Sequence, residues 1–458
     1  MPLQWAVALD IFSKISGTEE GILNIFIFSA PSKRVGKGAA ITACEKGSQW
    51  QLALFCLFSD MASARVVPNI FSFSAAISAC EKSGRWEEAL VLLSEAQSAE
   101  VVPDVVCFSA AISAAEKGGQ WQRALQLLSD MLQARAASNV IAVSAAISAC
   151  EKGGQWQMAL QLLSDMSTLE VQANEVSFSA GISACEKAGR WQMALALLSR
   201  MAVADLTPNK ISFSAAVSAC EKAGEWQQAL HLLSKMSSTS ALPDRISINA
   251  GISACEKGSR WEMALQLLGS MATDRLLPNT ISFSAAISAC EKSGNWEVAL
   301  LLLTQMSSER VSPNEVSFSA GISACEKGDR WQVALEILSE MATSEASPNV
   351  FSYSACISAC ERASQWQLAL VLLAQMFTAG IVPDQIILNT LLTARDKGTQ
   401  WEMAFYLFWA TWRGSEHCTP PHTSTVFQGY FFVGTSSTLV IAAPTLSSLD
   451  SSVLHSGS

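Results

Sequence analysis

The 458-residue chain carries a net charge of −10, is 50% hydrophobic and only 15% charged. Its length admits two or three globular domains, with ample apolar material to bury. The acidic balance excludes a polybasic nucleic-acid binder and attraction to anionic membranes, but not a binder whose cations lie along one line.

No signal peptide or transmembrane helix is evident at the start. Gln4 to Ile15 read as the second half of a helical hairpin, with Trp5, Ala8, Leu9 and Phe12 on one face. The expectation is a truncated start, with any targeting peptide lost. Residues 1–33 then hold this half-repeat and an irregular insertion of ten, since Trp5 and Trp50 stand 45 apart. From Trp50 a clock begins. Trp86, Trp121, Trp156, Trp191, Trp226, Trp261, Trp296, Trp331, Trp366 and Trp401 follow at an interval of 36 once and 35 thereafter. A fixed period overrides the length argument, because an array grows in one dimension instead of around one core. The array spans 34–413: nine regular repeats from Ile70 to Asp384, a less regular one at 34–69 and a degrading one from Gln385.

Within residues 70–104, Phe73, Ile77 and Cys80 are spaced i, i+4, i+7 and predict a first helix of about three turns. Ser72 is its expected N-cap, and Gly84 suits its C-terminal end. Trp86, Ala89, Leu90 and Leu93 predict a second helix, and Val-Val-Pro-Asp at 101–104 ends the unit. Such a hairpin cannot bury both apolar stripes alone, so the expected fold is all-α, a solenoid of stacked 35-residue helix–turn–helix units. One position carries nine of the thirteen cysteines (Cys44, Cys80, Cys150, Cys185, Cys220, Cys255, Cys290, Cys325 and Cys360). Ala115 and Arg395 replace the thiol there, so a small buried apolar residue in a reducing compartment is expected. Gly181, Gly251 and Gly321, spaced by 70, weaken their helices unless close packing compensates. Past Arg413 the chain turns Ser/Thr-rich, and residues 414–458 are expected to form a disordered tail. The run VFQGYFFVGTSSTLVIAA within that tail is a poor membrane span.

The 35-residue period, the Pro-Asn or Pro-Asp terminus, the small polar residues early in the first helix and the Ala-Leu pair of the second resemble pentatricopeptide repeats. Near-identical copies with Cys-Glu-Lys and a leading tryptophan are similar to a version abundant in dinoflagellate algae. The resemblance implies a right-handed superhelix that binds single-stranded RNA, one nucleotide per repeat, in a chloroplast or mitochondrion. It assigns base contact to the second residue of each repeat: Phe71, Val106, Ile141, Val176, Ile211, Ile246, Ile281, Val316 and Phe351, flanked by Val35 and Ile386 in the irregular repeats. The alternative for these is a helix-entry residue packed on its neighbour. It assigns base choice to the fifth and last residues. These are Ser74 with Asp104, Ser109 with Asn139, Ser144 with Asn174, Ser179 with Asn209 and Ser214 with Asp244, then Asn249 with Asn279, Ser284 with Asn314, Ser319 with Asn349 and Ser354 with Asp384. Hydroxyl, amide and carboxylate differ in donor capacity, although Pro-Asn and Pro-Asp also make good turns and caps. The family's pairing rules imply 5′-GAAAG(C/U)AAG-3′ as the target. Gly38, Asn389 and Thr419, in the end repeats, specify nothing. The thirteenth residue is always basic, from Lys46 to Lys397. Lys82, Lys117, Lys152, Lys187, Lys222, Lys257, Lys292, Lys327 and Arg362 would align into a stripe that the family turns toward phosphates. An acidic residue precedes each, which hides the stripe in the net charge; a solvated Glu-Lys helix end is the alternative.

No catalytic site, metal site or cofactor is expected. His231, His417, His422 and His455 do not recur with the repeat, and no His-x-Glu precedes a Cys-x-x-Cys, so a deaminase-like tail is missing. Cys356 and Cys360 lie one turn apart without a partner pair for zinc. Around Gly36-Lys37, Pro31 and Gly38 stand where a phosphate loop needs Gly and Ser/Thr. The expected partner is single-stranded RNA, with protein partners supplying any catalysis. The competing function is a protein-binding scaffold, favoured by the acidic balance and the monotony of the repeats.

Overall fold

The computed structural model of the chain describes residues 50–55, 68–387 and 390, apart from 135, 137, 138, 240, 274 and 345. The expected N-terminal half-hairpin, the insertion, Val35, Gly38, Cys44, Lys46, Asn389, Arg395, Lys397, Thr419 and the 414–458 tail lie outside the described residues. Among the described residues are nineteen helices and no strand. Nine pairs run from Ile70–Lys82 with Trp86–Ser98 to Val350–Arg362 with Trp366–Thr378, and Trp50–Phe55 precedes them. Each first helix packs against the first helices before and after it. Each second helix packs on its own first helix and on the next one, so two layers of helices form an all-α solenoid.

The apolar stripes of successive hairpins meet, and from Phe73 to Ala254 they form one hydrophobic cluster. Phe73, Ile77, Cys80, Ala89 and Leu93 are all buried, as their helical spacing requires, and a methionine recurs in later second helices with Met131, Met201 and Met236 wholly inside. Each such aliphatic side chain contributes roughly 1.5–3 kcal/mol on burial, and a hairpin gains it only when neighbours cover both faces. Cys80, Cys150, Cys185, Cys220, Cys255, Cys290, Cys325 and Cys360 are buried, and so is Ala115 in their place. Desolvation pushes the Cys150 thiol up to about 11, so it packs as a small apolar group. The space over Gly321 is taken by Leu303: a β-carbon there would lie 2.6 Å from Leu303 Cδ1. Around Gly181 the nearest leucine tips stand at 3.4 Å, which leaves room for a methyl group.

The helix ends refine the expectation. The first helix is capped by Asn69, not Ser72: the Asn69 side chain accepts the Ser72 N–H at 3.0 Å. Ser72 is the third helical residue, and its backbone N–H is one of the donors left without an intrahelical carbonyl. Its hydroxyl turns back to Asn69 Oδ1, also at 3.0 Å. At the other end Gly84 has φ +70°, and every described repeat is left-handed at this position. Glycine fills it in six repeats, while Ser259, Asp329 and Ser364 adopt the same conformation at φ +52° to +58°. Among the described residues no helix is long and apolar enough to cross a membrane.

Candidate nucleic-acid interface

Because each repeat ends on the residue that caps the next first helix, one atom of that side chain is already committed. Asp104 accepts from Cys107 N at 2.9 Å, Asn139 from Ala142 N at 2.8 Å and Asn209 from Ser212 N at 2.9 Å. Asn174, Asp244, Asn279, Asn314 and Asn349 close full capping boxes with a serine three residues on. A backbone N–H demands an oxygen, so the cap fixes the amide's orientation. What remains to be presented is Nδ2, a donor, in each asparagine and Oδ2, an acceptor, in each aspartate.

The fold brings the fifth and last residues of a repeat side by side across 30 positions. Ser109 Oγ donates to Asn139 Oδ1 at 3.1 Å, Ser284 Oγ to Asn314 Oδ1 at 3.2 Å, and Asn249 Nδ2 to Asn279 Oδ1 at 3.2 Å. Ser144 with Asn174 and Ser319 with Asn349 make the same pair at a longer 3.5 Å. Ser179 reaches Asn209 through the Ser212 hydroxyl, 2.7 Å from the first and 2.9 Å from the second. The three serine–aspartate repeats differ. Among the described residues no hydrogen bond joins Ser74 to Asp104, Ser214 to Asp244 or Ser354 to Asp384. Ser74 instead donates to Phe71 O at 3.2 Å.

One helical turn from each fifth residue, the second residue points out of the core. Phe71, Val106, Ile141, Val176, Ile211, Ile246, Ile281, Val316, Phe351 and Ile386 are 54–75% exposed. More than half of the surface of each therefore lies in water. The first helices bury Phe73, Ile77 and their counterparts in the other repeats, yet keep a period-35 row of β-branched and aromatic second residues in water. Isolated exposed apolar side chains are ordinary; here they recur at one position of every described repeat, one turn from the fifth residue.

The basic thirteenth residues also recur in register, but not as bare cations. Lys117 Nζ lies 2.9 Å from Glu81 Oε1 of the preceding repeat, and Lys222 reaches Glu186 at 2.6 Å and Lys257 reaches Glu221 at 2.7 Å. Lys152, Lys187, Lys292, Lys327 and Arg362 do the same, at 2.8–3.3 Å, to Glu116, Glu151, Glu256, Glu291 and Glu326. The acidic residue that neutralises each cation is thus the one 36 positions earlier, not its chain neighbour. With the cations 37–48% exposed, each pair adds little stability, and the ladder leaves the stripe nearly neutral. A second stack went unread in the sequence. Arg190, Arg260 and Arg330 lie 4.9–5.1 Å from the ring centroids of Trp156, Trp226 and Trp296 in the preceding repeats. The signal was present, in an arginine just before the tryptophan of alternate repeats. No group of three or more His, Cys, Asp or Glu is placed to hold a metal among the described residues.

The family profile described as the Pentacotripeptide-repeat region of PRORP matches residues 138–260 and 239–438, and the one described as PPR repeat matches 71–101 and 106–135. Among solved structures, the pentatricopeptide repeat protein PPR10 from maize is similar at 21% identity with a TM-score of 0.53. That match covers 92% of this chain but 64% of the maize chain, so this chain spans less than two thirds of that protein. PPR10 in complex with an 18-nt psaJ RNA element matches at 18% identity, TM-score 0.38, over 89% of this chain and 69% of that one. The PPR domain of Arabidopsis thaliana protein-only RNase P 1 in complex with tRNA matches at 15% identity, TM-score 0.36, over 39% and 95%. No curated protein matches. With profiles that match more than half of its length, the chain belongs to the pentatricopeptide-repeat family.

Proposed function

We propose that the chain binds single-stranded RNA along the row of second, fifth and last residues, one nucleotide per repeat. The observation that carries this reading is the exposed row from Phe71 to Ile386, set one turn from the paired side chains. A flat or β-branched apolar surface offers a face to an unstacked base, and the adjacent pair meets the base edge. The cap supplies a physical reason for base choice. An asparagine held by Oδ1 offers an N–H to adenine N1, whereas an aspartate held the same way offers a carboxylate oxygen to guanine N1–H. Read in order, the nine regular repeats then prefer 5′-GAAAG(C/U)AAG-3′. The biological setting we propose is a chloroplast or mitochondrial transcript, whose processing, stability or translation the bound protein alters, with any catalysis supplied by protein partners.

A protein-binding scaffold is the competing reading, and the Glu–Lys ladder favours it by neutralising the stripe that phosphates would need. Fluorescence anisotropy with labelled GAAAGCAAG and its complement separates the two. The RNA reading requires tighter binding of the first RNA, weakening as salt rises. Equal affinity for both, or no binding at low salt, would leave the scaffold. Replacing Ser284 with Asn, beside Asn314, should also move preference at the seventh nucleotide from adenine to a pyrimidine.

A further inference from the structure

The repeat at 210–244 is built unlike the other two that pair serine with aspartate. Its first residue is Lys210, whereas Ile70 and Val350 stand at that place in the repeats ending on Asp104 and Asp384. Lys210 Nζ lies 3.2 Å from Asp244 Oδ2, the oxygen the cap leaves over, because Oδ1 takes the Ser247 N–H at 2.8 Å. The lysine side chain is 54% exposed, so its ammonium keeps donors for a ligand. The fifth residue of this repeat, Ser214, has its hydroxyl buried and makes no hydrogen bond to Asp244 among the described residues.

We infer that Lys210 is a third base-selecting residue in this repeat, turning Asp244 from a bare acceptor into an acceptor and a donor set side by side. The inference rests on the proposed RNA reading. Guanine carries O6 next to N1–H, and uracil O4 next to N3–H; each offers an acceptor beside a donor. Asp244 Oδ2 accepts the ring N–H while the Lys210 ammonium donates to the neighbouring oxygen. Adenine and cytosine present a ring nitrogen acceptor beside an amino donor, which sets lone pair against carboxylate and N–H against ammonium. Lys210 therefore sharpens a keto-base preference at the fifth nucleotide, and the repeats of Asp104 and Asp384 lack that aid.

The test uses Lys210→Val, since Val105, Val140 and Val350 occupy the same place in sister repeats, and Lys210→Arg, which keeps a cation. Binding of GAAAGCAAG is compared with RNAs carrying A, C or U at nucleotide five, and with others changed at nucleotide one or nine. The valine variant should lose at least about fivefold of its discrimination of G and U over A and C at nucleotide five, with nucleotides one and nine unchanged. The arginine variant should keep most of that discrimination. Unchanged or stronger guanine preference in the valine variant overturns the inference while leaving the RNA reading intact, provided wild type still discriminates at nucleotides one and nine. Failure of wild type to bind any of these RNAs overturns both.

Discussion

Replacing Asn314 with Asp separates the cap from the base reader. In the wild type Asn314 Oδ1 accepts from Ser317 N at 2.9 Å, from Ser317 Oγ at 2.7 Å and from Ser284 Oγ at 3.2 Å. Aspartate keeps the same oxygen in the same place, and the two residues rank equally as N-caps, so stability should stay within about 0.5 kcal/mol. The one atom that changes is the uncommitted terminus, from Nδ2 to Oδ2. Preference at the seventh nucleotide should then pass from adenine to guanine. A single well-placed base contact at the low end of the usual range, about 1 kcal/mol, is about a fivefold ratio of affinities in each direction. Asn314→Ala is the contrast: it loses the cap, costs about 1 kcal/mol, and should blunt preference without reversing it. Anisotropy titrations with GAAAGCAAG and GAAAGCGAG read specificity, and urea unfolding reads stability. If the aspartate variant is as stable as wild type and still prefers adenine, the last residue is a cap and nothing more.

Further outcomes follow from the same geometry. Ser259 and Asp329 hold φ +52° and +56° where six sister repeats place glycine, so Ser259→Gly and Asp329→Gly should each stabilise by up to about 1 kcal/mol in urea unfolding. Glu256→Gln frees Lys292 from its 2.9 Å partner; RNA affinity should rise and its salt dependence steepen, while stability shifts by less than about 0.5 kcal/mol. Burial lifts Cys150, Cys185 and Cys290 from an ordinary 9.0 to about 11, so the native thiols should resist a disulfide reagent at pH 8 that reacts fully in denaturant. The folded pKa is raised, so the associated stability is present in full below pH 9.0 and is lost as pH climbs through about 11; unfolding midpoints should fall across that window.

The period and the two helices were legible in the chain because each depends on contacts within one turn or one hairpin, and the burial of Phe73, Ile77 and Cys80 followed because such stripes must be covered by neighbouring hairpins. Even there one local detail misled. Ser72 has the composition of a cap, but the chain enters the helix three residues earlier, at Asn69, and only backbone geometry says which residue is last outside. The site was legible in position but not in state. The family resemblance could nominate Ser109 and Asn139 as partners, yet nothing in a list of residues says that 30 positions collapse to 3.1 Å.

By itself, then, the sequence determined a repeating helical hairpin, its core face and the identity of the groups at every repeat, since a 35-residue copy repeats its local forces wherever it occurs. The tertiary structure decided what depends on stacking register. It set the exposure of the row from Phe71 to Ile386, paired the thirteenth cations from Lys117 to Arg362 with the glutamate 36 positions before each, and placed Lys210 on Asp244. Those are relations between neighbouring copies, and the offset between them is fixed only when one hairpin packs against the next.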